Sequence, residues 1–213
     1  MIMIRRFTKS EDGGATVEMA IVSTLLFTLT LGFVDFGYAL YQWNAATKAV
    51  QLGARLASIS DPVATALTTA APTTTPGAPV VAAAYGPFVC RYTAGTGACS
   101  NSGVFNAANF SRIFRGDTAN TNDDACPALA ADQRPGMCHF FSGLRRDNVV
   151  ITYSATGLGY QTRQDGPVPT ITVNLQNVTF QFFFLGGLLG YGNLPMPSML
   201  STVTGEDLKS TAS

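Results

Sequence analysis

The sequence predicts an α+β protein in which one long N-terminal transmembrane helix continues into an exported domain built on a small antiparallel β-sheet. Three observations predict it. From Met19 to Val34 the chain carries no charge, and between Lys9 and Lys48 there is no basic residue. The segment after it keeps a helical apolar spacing, and the C-terminal third holds short runs of β-branched and aromatic residues separated by turn formers.

The apolar segment comes first. Taken through Asp35 to Tyr41 it has about 23 residues, which at ~1.5 Å per residue spans a hydrocarbon core of ~30 Å. Arg5, Arg6 and Lys9 precede it and the next basic residue is Lys48, so the positive-inside rule keeps the N-terminus cytoplasmic and exports the rest. A cleaved secretory signal also has a basic start and an apolar core. Here the apolar run is longer than such a core and passes into a helical segment without a small-residue cleavage site.

Beyond Tyr41, Ala45, Ala49, Leu52, Leu56 and Ile59 recur at alternating spacings of four and three and form one apolar stripe. Asn44, Lys48, Gln51, Arg55 and Ser58 repeat the spacing on another face. The stripe needs a cover, either the protein's own domain or helices of other subunits. The helix is expected to end by Asp61-Pro62, because proline disfavours helical geometry at the residue before it. Within the span, Gly32 and Gly37 lie five apart, which is not the small-residue pattern of close helix packing. Asp35, an acid near the outer boundary, must reach water or find a partner.

Residues 61–89 are rich in Ala, Thr and Pro, hold five of the eleven prolines and have no charge between Asp61 and Arg91, so they read as a linker or long loop. Residues 90–213 form the expected exported domain. Its first part, 90–147, has poor periodicity and is expected to be irregular structure stapled by disulfides. All four cysteines, Cys90, Cys99, Cys126 and Cys138, fall in the exported part. Of three possible connectivities, Cys90 with Cys99 and Cys126 with Cys138 is favoured on proximity, since each pair closes a short loop. A metal site assisted by His139 is the rival reading. No CxxC pair and a single histidine argue against it.

Strands are expected at Val149–Ser154, 168–175, 178–182 and Met199–Thr204. The run from Phe182 to Tyr191 has ten residues and three glycines, too few to cross a membrane. It reads as a loop or short helix, buried in the core or resting on the membrane face or a partner subunit.

Charged residues are 12% of the chain against a usual ~25%, and 13 Lys plus Arg balance 13 Asp plus Glu. No broad cationic face is available for a phosphate backbone, so nucleic acid is excluded as the main partner. One histidine, no phosphate-binding glycine loop and no nucleophile elbow point away from an enzyme, and no cofactor is implied. An anchored enzyme using His139 or a surface carboxylate pair is the reading this disfavours.

The residues before the span carry more. The stretch from Lys9 to Met19 places Gly13-Gly14 ahead of the anchor and Glu18 at its boundary, which resembles a prepilin cleavage site. The pilin resemblance implies a membrane peptidase cut after Gly13, leaving Gly14 first and Glu18 fifth. A carboxylate at the edge of hydrocarbon costs several kcal/mol unless neutralised. In a pilin assembly a neighbour's freed α-amino group would neutralise it, making Glu18 a register device. Otherwise it is an interfacial residue at a helix start, favoured by the macrodipole.

Three motifs occur in order: Gly14-Ala-Thr-Val-Glu18-Met-Ala-Ile-Val22, then Gly32-Phe-Val-Asp35-Phe-Gly37-Tyr38, then Ala49-Val-Gln-Leu-Gly53-Ala54-Arg55-Leu-Ala57. Together, over about residues 13 to 60, they resemble the TadE-like family of tight-adherence (Flp, type IVc) pilus assembly proteins. The resemblance implies a pilin-like α+β fold and a minor pilin or pseudopilin in the bacterial inner membrane, with its C-terminal domain periplasmic. Implied partners are the major and minor pilins, a prepilin peptidase, the assembly platform and membrane lipid. The competing expectation is an uncleaved membrane-tethered periplasmic binding or scaffold module. Cleavage after Gly13 and a partner for Glu18 separate the two.

Overall fold

A computed structural model describes residues 12–70, 73–118, 124–162, 166–190 and 194–205. The basic leader before Asp12, with Arg5, Arg6 and Lys9, lies outside the described residues, as does the tail after Gly205. Helix α1 runs over Asp12–Ser58 and stops short of Pro62. The chain divides into two compact units, Met1–Tyr41 with Phe180–Leu194, and Gln42–Thr179 with Pro195–Ser213.

The second unit holds the sheet. Its strands are β2 (Phe88–Thr93), β3 (Thr96–Cys99), β4 (Val149–Ser154), β6 (Thr170–Leu175) and β7 (Met199–Thr204), in the antiparallel order β3-β2-β4-β6-β7. A separate ribbon pairs β1 (Pro79–Val80) with β5 (Gly159–Tyr160). Side chains alternate across a strand, so β4 turns Val149, Ile151 and Tyr153 to one face, and β6 adds Ile171, Val173 and Leu175. The β2–β3 hairpin closes through Ala94 and Gly95, at φ 49° and 79°. Two successive positive φ angles make the tight turn that matches strand twist, and glycine takes the second without a Cβ penalty.

Against the buried face of the sheet lies the C-terminal part of α1. Ala45, Ala46, Ala49, Val50, Ala54, Leu56 and Ala57 are all in the core, while Asn44, Lys48, Gln51 and Arg55 are exposed. The stripe expected from spacing is therefore covered by the protein's own domain, with Leu52 and Ile59 at its margin. Ser58, grouped with the polar face by spacing, is buried and donates to the Arg55 carbonyl at 2.8 Å.

Three expectations need correction. Residues 61–89 are not a linker: Val63, Ala64 and Leu67 are wholly buried, Thr65–Thr69 forms a 3-10 turn, and β1 and the start of β2 fall within the stretch. Residues 90–147 are more regular than expected, holding the β2–β3 hairpin and helix α2 (Ala107–Phe114). Asn106 caps α2 by accepting the Asn109 N–H at 3.1 Å, and Phe110, Ile113 and Phe114 fill the core. Residues 178–182 form no strand; only Thr179 bridges Pro195, and from Phe180 the chain belongs to the other unit. The α+β class, with its small antiparallel sheet, stands.

Candidate functional site

Gly13 and Gly14 lie in the first turn of α1, exposed, and a Cβ built on either meets nothing within 4 Å. Glu18 is exposed one turn further on. The whole of an 18-residue window of mean hydropathy 1.9 in this helix is unburied. Its hydroxyls are satisfied without water. Thr24 donates to the Ala20 carbonyl at 2.7 Å, Thr28 to Thr24 at 2.8 Å and Thr30 to Leu26 at 2.9 Å, and Ser23 donates to Met19. Such bonds to the preceding turn let serine and threonine sit on a surface that offers no solvent partner.

Asp35 is the exception on this otherwise exposed stretch, with 0% of its surface accessible. Its Oδ1 accepts the Phe183 N–H at 3.0 Å, and its Oδ2 accepts those of Phe184 at 2.9 Å and Leu185 at 2.6 Å. These donors open the short helix α3 (Leu185–Leu189), whose first N–H groups have no acceptor of their own. The carboxylate does from a distance what a capping side chain does locally, and the N-terminal end of the helix suits its negative charge. Gly190, at φ 67°, ends α3 in the left-handed conformation. Tyr38, about one turn past Asp35, packs against Phe183 with the ring centroids 4.8 Å apart and the planes tilted by 44°. By contrast, a Cβ on Gly32 or Gly37 would meet nothing within 4 Å.

The third motif is a seat within the sheet-bearing unit. A Cβ on Gly53 would fall 2.4 Å from Met137 Sδ, so glycine admits the wholly buried Met137 against α1. Ala54 is wholly buried beside it, whereas Arg55 is exposed and lines a cleft with Leu52, Leu56, Ile59, Arg134 and Pro135. Next to Met137, Cys138 is bonded to Cys126, and Cys90 is bonded to Cys99 directly across the β2–β3 ladder.

His139 stands by the first of these bridges. Its Nδ1 accepts the Gly136 N–H at 3.1 Å, which leaves Nε2 to donate to the Pro127 carbonyl at 2.8 Å. Cys126, Cys138 and His139 present ligand atoms within 4.8 Å of one another. With both sulfurs in a disulfide and both ring nitrogens hydrogen-bonded, the group as it stands staples a loop and offers no metal-ligand set.

Sequence reasoning did not find the donors to Asp35, which are backbone groups 148 to 150 positions away. Nor did it single out Arg146, buried with its guanidinium 4.5 Å over the Tyr92 ring and 3.5 Å from Asp124. No signal marked either, beyond the uncharged run around Phe183.

No curated protein and no solved structure matches the chain. The family model described as TadE-like protein matches residues 13–55, a segment that begins at the Gly-Gly pair and ends at Arg55. The first two motifs, and the third as far as Arg55, fall inside it, and over this N-terminal segment the chain matches the TadE-like family.

Proposed function

We propose that the protein is a minor pilin or pseudopilin that takes part in assembling a Flp/Tad-type (type IVc) adhesive pilus. It sits in the bacterial inner membrane by residues 19–41, with its N-terminus cytoplasmic and its sheet-bearing unit periplasmic. A prepilin peptidase cuts between Gly13 and Gly14, which makes Glu18 the fifth residue and frees an α-amino group for a neighbour's Glu18. The major pilin and sibling minor pilins meet it through α1, and the assembly platform receives it from the membrane.

The observation that carries this reading is the TadE-like match over residues 13–55, which starts at the glycine where the cut is expected. Support comes from the unburied apolar window of α1 and from its internally satisfied hydroxyls. An exposed apolar surface of that extent is stable in lipid and a liability in water.

The test is the N-terminal residue of the mature protein from native membranes, read by mass spectrometry beside a Gly13→Ala variant. Gly14 at the start, lost in the variant, is the expected result. An intact Met1 would leave a plain tether, and a terminus beyond the apolar run a secreted domain; either outcome overturns the pilin reading.

A further inference from the structure

Asp35 is the one ionisable carboxylate between Met19 and Tyr41, and it is wholly buried while Phe33, Val34, Phe36 and Leu40 around it are exposed. What buries it is backbone from residues 183–185. That segment carries no charged side chain from Phe180 to Gly190, and it exposes Phe183 and Phe184 at 62% and 43% of their surface. In water this arrangement wastes two rings. At a bilayer surface each part has a use.

Counting from Glu18 at the inner boundary, Asp35 lies about 25 Å along the helix axis, close to the far side of a ~30 Å hydrocarbon core. A bare carboxylate at that depth is costly, and irregular backbone there needs its N–H groups paired. The three Asp35 hydrogen bonds meet both needs at once. The rings of Tyr38, Tyr41 and Phe183 gather at the same level, as aromatic side chains do at a membrane–water boundary.

We propose that residues 180–190 are a second membrane contact, an apolar foot seated at the outer-leaflet boundary and locked to the anchor by Asp35. Its partner is the lipid bilayer, reached by continuity with the lipid-facing surface of α1. This rests on the membrane-spanning reading of α1. The foot fixes the depth of the helix in the bilayer at a second point.

The test uses the full chain in phosphatidylcholine vesicles whose acyl chains carry bromine near the headgroup or near the methyl end. Trp43, the single tryptophan, is replaced by Trp43→Phe, and either Phe184→Trp or Phe27→Trp is added. Phe27→Trp reports whether the span itself is in lipid. The expected result is that Phe184→Trp is quenched about twofold more by the shallow bromines than by the deep ones, while Phe27→Trp favours the deep ones. Phe184→Trp unquenched beside a quenched Phe27→Trp would overturn the foot and leave the anchor standing. Both unquenched would overturn the anchor as well.

Discussion

Two tyrosines in the sheet-bearing unit differ in one respect that a single-atom deletion exposes. The Tyr153 hydroxyl accepts the Val63 N–H at 3.0 Å, and both residues are wholly buried. Tyr153→Phe keeps the ring and strands the amide. An unsatisfied buried donor costs about 1–3 kcal/mol, so we take ~2 kcal/mol. For a unit of this size each kcal/mol lowers Tm by about 2–4 °C, which places the variant about 4–8 °C below the wild type. The Tyr85 hydroxyl, in contrast, is buried with no hydrogen-bond partner among the described residues. Tyr85→Phe removes a buried hydroxyl whose desolvation no partner among the described residues offsets, so its Tm should equal or exceed that of the wild type. Thermal melts of the full chain in detergent, followed by near-ultraviolet circular dichroism with both disulfides intact, measure the two variants side by side. Equal shifts, or a larger loss for Tyr85→Phe, would refute the hydrogen-bond account of Val63.

The same rings predict an alkaline limit. Burial pushes the Tyr85 hydroxyl from its usual 10 up to about 12, and raises Tyr153 as well, so below pH 10 both states are neutral and stability is fully present. As pH climbs from 10 towards 12 the unfolded state ionises first; Tm should fall over that window, less steeply in Tyr85→Phe. Replacing both Cys126 and Cys138 by serine should cost about 2–3 kcal/mol, and more than replacing Cys90 and Cys99, whose strands remain paired by the β2–β3 ladder. Melts of the two double variants, with reduced wild type as reference, rank them. Gly159→Ala places a Cβ 1.9 Å from the Val168 carbonyl oxygen, which is backbone and cannot swing aside, so a loss of about 1–3 kcal/mol is expected by denaturant titration.

The α+β class was legible because its two periodicities are long and distinct. An uncharged helix and a run such as Val149–Ser154 leave little choice of partner surface. Residues 61–89 misled because a proline-rich, uncharged stretch looks alike whether it is a solvated linker or a loop anchored in the core at a few points. Only packing distinguishes them, and Val63 and Leu67 are wholly buried. Helix α2 was missed since eight residues give barely two turns of pattern. Gly53 could be read as a motif but not explained, because the reason is Met137, 84 positions downstream. Asp35 announced that it needed a partner; that the partner is backbone is a fact no side-chain pattern can carry.

The seam that α1 presents to the sheet is made largely of alanine: Ala45, Ala46, Ala49, Ala54 and Ala57. In most cores the common injury is truncation, which leaves a void. Here almost nothing remains to be cut, and harm comes from the opposite direction, from any added carbon that wedges the helix off the strands. Substitution along this surface should therefore show a one-sided profile, forgiving only of residues as small as those already there, and a single added methyl group should weigh more than its size suggests.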